Sequence, residues 1–141
     1  MIASPQAIRI DRGGIAAEAV ISWRYERDGW TVELASAATG AVAAHAADAF
    51  EALCLVRERL EPEGWRVGVA GAQAGVWPSG MARDQGGGLT AYRLEAEAEA
   101  EAEAEADTVV DTFAPVDPAA TSTVAAQQAD AERAGLGRPT G

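Results

Sequence analysis

The sequence has no lysine, a single cysteine (Cys54) and a single histidine (His45). One cysteine excludes an internal disulfide, and with one histidine it cannot supply a cysteine–histidine metal cluster. His45 lies in an alanine-rich segment without the Ser, Cys or Asp pattern that a catalytic triad needs. Cys54 sits among leucines with no cation motif to stabilise a thiolate, and reads as an ordinary core or surface thiol. Nowhere does an apolar run approach the roughly 18 residues of a spanning helix. The start, MIASPQAIRIDRGG, lacks a basic stretch followed by an apolar one, so no signal peptide is expected. These absences set the expectation of a cytoplasmic chain that is not an enzyme, with no catalytic, cofactor-binding or metal-binding residues and no membrane partner.

Large side chains are also few. Hydrophobic residues make up 48% of the chain, but much of that is alanine, which buries little area. Trp23, Tyr25, Trp30, Phe50, Trp65, Trp77, Tyr92 and Phe113, with scattered Ile, Leu and Val, must carry the core. They lie almost entirely before residue 114, which predicts one α+β domain over residues 1–114. Residues 115–141 then read as a mostly disordered tail, with a weak short helix from about Val124 to Ala134. Ser122 or Thr123 would cap that helix and Gly135 would end it.

The net charge of −11 is unevenly placed. Residues 1–94 carry 9 Arg against 11 acids, and residues 95–141 carry 2 Arg against 11 acids. The folded part is thus close to neutral and the acidity is appended. Free DNA or RNA is an unsuitable ligand, since phosphate binding wants clustered positive charge. Much of the acidity is the run EAEAEAEAEAEA, residues 95–106. In a helix each Glu would face another four residues away, which is unfavourable. In a strand only alanines would remain to be buried. The run therefore reads as a low-complexity Glu-Ala insertion in a connection that tolerates length.

Periodicity gives the elements. In AVISWRYERDGWTVELAS, alternation puts Ile21, Trp23 and Tyr25 on one face and Trp30, Val32 and Leu34 on its partner. An Asp28-Gly29 turn, suited to type I′, predicts Arg27 opposite Trp30, Tyr25 opposite Val32 and Trp23 opposite Leu34. AIRI (7–10) adds a short strand before the DRGG turn, and AVAAH a weak one after Thr39-Gly40. A helix follows in DAFEALCLVRERL. Asp48 and Glu51 have capping-box spacing, Phe50, Leu53, Val56 and Leu60 form the apolar stripe, and Pro62 and Gly64 end it. WRVGVAG, LTAYRL and TVVDTF read as later strands. The fold class expected is α+β: a small antiparallel or mixed sheet with one main helix packed on one face, in the order β-β-β-α-β-β-β.

Between the last strands lies VWPSGMARDQGGGLTAYRL. Gly86, Gly88 and Ala91 match G-x-G-x-x-A in spacing, yet they lead into a strand rather than a helix, and no G-K-[ST] is present. A dinucleotide fingerprint and a P-loop are both excluded. Two readings are left. In one, Trp77, Ser79, Gly80, Arg83, Gly86, Gly87, Gly88 and Tyr92 form a partner- or anion-binding loop, with Ser79 capping a short turn and Arg83 exposed. In the other the loop is a reversal, with Trp77 and Tyr92 in the core and Arg83 paired to Asp84 or a nearby acid.

Several segments share a further likeness: Ala52-Leu53-Cys54 through Trp65, Trp77 to Met81, Gly86 to Gly88 with Tyr92, Val110 to Pro115, and Thr123 to Gln127. In these the chain resembles a group of small, uncharacterised bacterial proteins carrying a W-P-S-G-M, Gly-rich, aromatic-strand pattern over roughly residues 50–128. The resemblance implies a shared fold and no activity, and the Glu-Ala run departs from it. The function expected is that of a small binding or accessory protein acting through a protein partner, an immunity-type inhibitor of a basic toxin being one version. A small-anion or small-molecule domain using the 77–92 loop is the alternative, and an acidic DNA mimic built on residues 95–106 a third. The sequence sets no oligomeric state.

Overall fold

Four consecutive strands open the chain because tight turns fold it back on itself. The structure, a computed structural model, describes residues 2–94 and 109–136. The Glu-Ala run lies outside the described residues. β1 (Gln6–Arg12) turns through Gly13 and Gly14, both at positive φ, into β2 (Ile15–Glu26). β3 (Gly29–Ser36) and β4 (Gly40–Ala46) continue the meander. After helix α1 (Ala49–Leu60), the short β5 (Trp65–Val67) returns to pair with β1, giving the antiparallel order β4-β3-β2-β1-β5 in a curled sheet.

The β2–β3 register differs from the one the turn signal predicts. Glu26 pairs with Gly29, Tyr25 with Trp30, Trp23 with Val32 and Ile21 with Leu34, two residues from expectation. The turn residues are Arg27 and Asp28, at φ 52° and 58°, and Gly29 belongs to the strand. The reason is long-range. A Cβ on Gly29 would lie 2.5 Å from the Ala46 carbonyl oxygen and 2.7 Å from His45 Nε2, so the neighbouring strand needs a glycine there. Because the shift is even, the apolar face is kept.

α1 starts as its capping signal predicts. Asp48 is extended and its side chain accepts from Glu51 N–H at 2.8 Å. The helix has two buried faces. Ala52, Leu53, Val56 and Leu60 pack on Ile8, Ile10, Ile21, Val32 and Leu34 of the large sheet. Phe50 and Cys54 pack instead with Val76, Trp77, Ala91, Val124 and Ala131. That second layer contains β6 (Val76–Trp77), β7 (Thr90–Arg93) and β8 (Val109–Asp111), ordered β6-β7-β8, with helix α3 (Val124–Arg133). A five-residue helix, α2 (Gly80–Asp84), joins β6 to β7.

The fold is α+β, but the element order over the described residues is β-β-β-β-α-β-β-α-β-β-α in two sheets, not the single sheet of order β-β-β-α-β-β-β. WRVGVAG does not run on as one strand because of Gly68. A Cβ there would meet the Val116 carbonyl oxygen at 2.5 Å and that of Arg9 at 2.6 Å, so the chain is sandwiched between β1 and residues 115–118. Phe113 reaches into the main core and stacks on Trp23 with ring centroids 4.3 Å apart.

α3 has few large apolar groups and is held by polar ones. Arg57, fully buried on α1, donates to Gln127 Oε1 (2.5 Å) and to the Ser122 carbonyl oxygen (2.7 Å), and pairs with Glu61 at 3.2 Å. Gln127 Nε2 lies 2.8–3.0 Å from the carbonyl oxygens of Gly71, Gln73 and Val76. Burial lowers the pKa of Arg57, and these acceptors hold its charge in place. Among the described residues no helix is long and apolar enough to cross a membrane.

Candidate functional site

The 76–94 segment begins as the sequence suggests. Ser79 caps α2, its hydroxyl accepting from Ala82 N–H at 3.0 Å, while Gly80 and Met81 face solvent. Trp77 is buried and opposes half-buried Tyr92 across β6–β7. Arg83 departs from the exposed position expected for it in the binding-loop reading. Its side chain is only 8% exposed, and Nη1 lies 3.1 and 3.3 Å from the Asp48 carboxylate, with Glu51 at 3.7 Å. The guanidinium also sits over the rings of Phe50 and Trp77, at 5.2 and 5.4 Å. The physical cause is the cap of α1. Asp48 is 3% exposed, and a buried carboxylate requires a counter-charge. The acid that partners Arg83 is therefore 35 residues away in sequence, not the adjacent Asp84.

Two of the three glycines, Gly87 and Gly88, seat the loop on that same helix start. Gly87 accepts from Ala49 N–H at 2.7 Å through its carbonyl oxygen. Gly88, at φ 74°, has Asp48 Oδ1 and Phe50 N each 2.6 Å from where a Cβ would be. Its carbonyl oxygen accepts from the Thr112 hydroxyl at 2.7 Å. At Gly86 a Cβ would meet the Ala82 carbonyl oxygen at 2.8 Å. Two of the first N–H groups of α1, which elsewhere form an anion site, are thus taken, that of Ala49 by Gly87 and that of Glu51 by Asp48. Of the expected site residues, the fold gathers Trp77, Arg83, Gly87 and Gly88 around one internal junction. Ser79 works as a cap, Gly80 lies at the surface, and Tyr92 stays on β7. What the junction does chemically is close a helix end. Two buried donors there, Arg83 Nη2 and Trp77 Nε1, have no hydrogen-bond partner among the described residues.

Among the described residues the other face of the large sheet is open, and it carries two features that the sequence reading missed. Near the hairpin tip, Arg24, Thr31 and His45 form one cross-strand row. Thr31 Oγ1 lies 2.6 Å from Glu26 Oε2 and 3.0 Å from His45 Nδ1. One hydroxyl proton cannot serve both neighbours, so it goes to the carboxylate and His45 Nδ1–H donates to Thr31. Glu26 also binds Arg24 (2.9 Å) and Arg27 (3.2 Å). The Thr31 hydrogen bond, then that of Arg24, holds the Glu26 pKa down at about 2. The row fixes the orientation of the His45 ring against Thr31. No cluster of three metal-ligating residues occurs among the described residues.

At the far end of the same face is a groove of about 860 Å³, within the roughly 300–1,000 Å³ typical of ligand sites. Its floor is laid in cross-strand rows: Ala7–Val20–Ala35, then Arg9–Glu18, then Asp11–Ala16. Small side chains on β1–β3 make the trough, and residues 115–118 form a wall. The signal in the sequence was the alternation of small and charged residues on strands whose other face is apolar. No protein-family model matches the chain, and no curated protein matches it significantly.

Proposed function

We propose that the protein is a small binding or accessory protein that acts through protein–protein contact, using the open face of the five-stranded sheet. One observation carries this reading. The loop that looked most like a site uses its charged and backbone groups internally, whereas the open face leaves Arg9, Glu18 and Val20 at the surface of a groove. A packed domain that leaves such a face unfilled by the described residues is what an interaction module presents. An immunity-type inhibitor is the version in which the partner is a toxin. The small-anion alternative at residues 77–92 loses support, because Arg83 already neutralises Asp48 and Gly87 already meets the helix N-terminus. The DNA-mimic alternative rests on residues 95–106, outside the described residues.

The test is comparative capture from the source organism with cross-linking. Ala35→Arg fills and charges the groove, and Met81→Arg makes a similar change at an exposed site off this face. A partner identified with wild type and Met81→Arg, and lost with Ala35→Arg, supports the reading. Identical recovery with all three defeats it.

A further inference from the structure

We infer that the groove takes an extended, basic segment of a partner protein, with Glu18 as its central charge contact; the inference rests on the open face being the contact surface. Charge decides the occupant's sign. The groove presents the carboxylates of Asp11, Glu18 and Asp117 against the one guanidinium of Arg9. Glu18 and Arg9 oppose each other across β1–β2, yet neither has an ion-pair partner within 4.0 Å among the described residues. Asp11 is half engaged, accepting from Gly14 N–H at 3.0 Å, and Asp117 from Ala119 N–H at 2.9 Å. Of the three, Glu18 is the carboxylate without a hydrogen-bond or ion-pair partner among the described residues. The whole chain, at −11, biases encounter toward the same class of partner.

Spacing decides the occupant's shape. The apolar row of Val20, the row of Glu18 and the row of Asp11 succeed one another every second residue. At about 3.3 Å per residue they lie some 7 Å apart along the strands. An extended chain places its own same-side residues at the same interval. A segment with an apolar residue, then basic residues two and four positions on, sets the apolar group on Val20 and the cations at Glu18 and Asp11. A helix repeats its same-side residues about 6 Å apart but turns them about 40° round its axis at each step, so it follows the three rows less closely than an extended chain. Val20 is 45% exposed, so the apolar contact is there to be covered.

The experiment measures fluorescence anisotropy with a labelled peptide, Lys-Ser-Lys-Ser-Val-Ser-Lys-Ser-Lys, which reads alike in both directions. Its counterpart has Glu for every Lys. Saturable binding of the Lys peptide supports the inference if it weakens at least about tenfold in Glu18→Gln and Ala35→Arg, and falls in about 1 M salt, where the screening length is about 3 Å. Thermal unfolding of both variants checks that they remain folded. Groove-dependent binding of the Glu peptide instead would overturn the charge assignment while leaving the open face as the contact surface. Binding of the Lys peptide that ignores both variants but disappears on deleting residues 95–106 overturns the inference in favour of unspecific attraction to the Glu run. No binding of either peptide overturns it and counts against the contact surface as well.

Discussion

Replacing Arg83 by alanine should cost about 3 kcal/mol of folding stability. Both members of its ion pair are almost fully buried, with side chains 8% and 4% exposed, so solvent does little to screen them. Removing one partner of a buried pair typically costs about 3–5 kcal/mol, because the other charge is left without compensation. Here Asp48 keeps one charge-assisted bond, from Glu51 N–H at 2.8 Å, which argues for the low end of that range. Lost contact of the guanidinium with the Phe50 and Trp77 rings makes up about 0.5–1 kcal/mol of that cost. A domain of this size moves about 3–4 °C per kcal/mol, so the melting midpoint should fall by roughly 10 °C. Urea unfolding followed by tryptophan fluorescence gives the free energy. Arg27→Ala, at an exposed turn, should change it by less than about 0.5 kcal/mol. A loss below about 1 kcal/mol for Arg83→Ala would mean that Arg83 is a surface residue after all. Pairing Arg83→Met with Asp48→Asn separates the interaction from the cap, since the double variant should recover part of the sum.

The remaining predictions concern neighbouring devices. Gln127→Ala leaves Arg57 and three carbonyl oxygens short of partners, and should cost about 2–3 kcal/mol while raising hydrogen exchange in α3 before the sheet. Gly88→Ala should destabilise by more than about 2 kcal/mol, since the residue has positive φ and a backbone nitrogen 2.6 Å from the new carbon. Gly80→Ala, in α2 with open space around it, should be neutral or stabilising by up to about 1 kcal/mol; equal effects at the two sites would refute the packing argument. Thr31→Val should raise the Glu26 pKa from about 2 toward the ordinary 4.5 in a carboxyl NMR titration. Glu26 holds its proton more weakly folded than unfolded. Its contribution to stability is therefore present above about 4.5, is lost as pH falls through about 2, and should shrink in the variant.

Local signals carried well where the deciding contacts are local. Asp48 caps α1 as the Asp-x-x-Glu spacing predicts, Ser79 caps α2, and the stripe of Phe50, Leu53, Val56 and Leu60 is buried throughout. The candidate site was legible only as a set of unusual residues. Its arginine is oriented by an acid 35 positions earlier, and its glycines are required by atoms of Asp48, Phe50 and Trp30. Such demands leave no periodic trace. The β2–β3 turn shows the same limit on a smaller scale: Asp-Gly is a strong turn signal, but Gly29 was needed by β4, so the turn moved to Arg27-Asp28.

By itself the sequence determined an α+β chain with a capped central helix, an alternating apolar face on its first strands, and acidity concentrated after residue 94. These follow from spacing of 2 and 3.6 residues and from composition, which act over a turn or a strand. Only the tertiary structure decided that the helix lies between two sheets, that Arg57 and Gln127 fasten α3 from inside, and that the glycine loop closes a helix end. It also decided that Val20, Glu18 and Asp11 share one open groove. Each of those depends on which distant strands pair and in what register, and a buried charge or a close backbone approach has meaning only once that pairing is made.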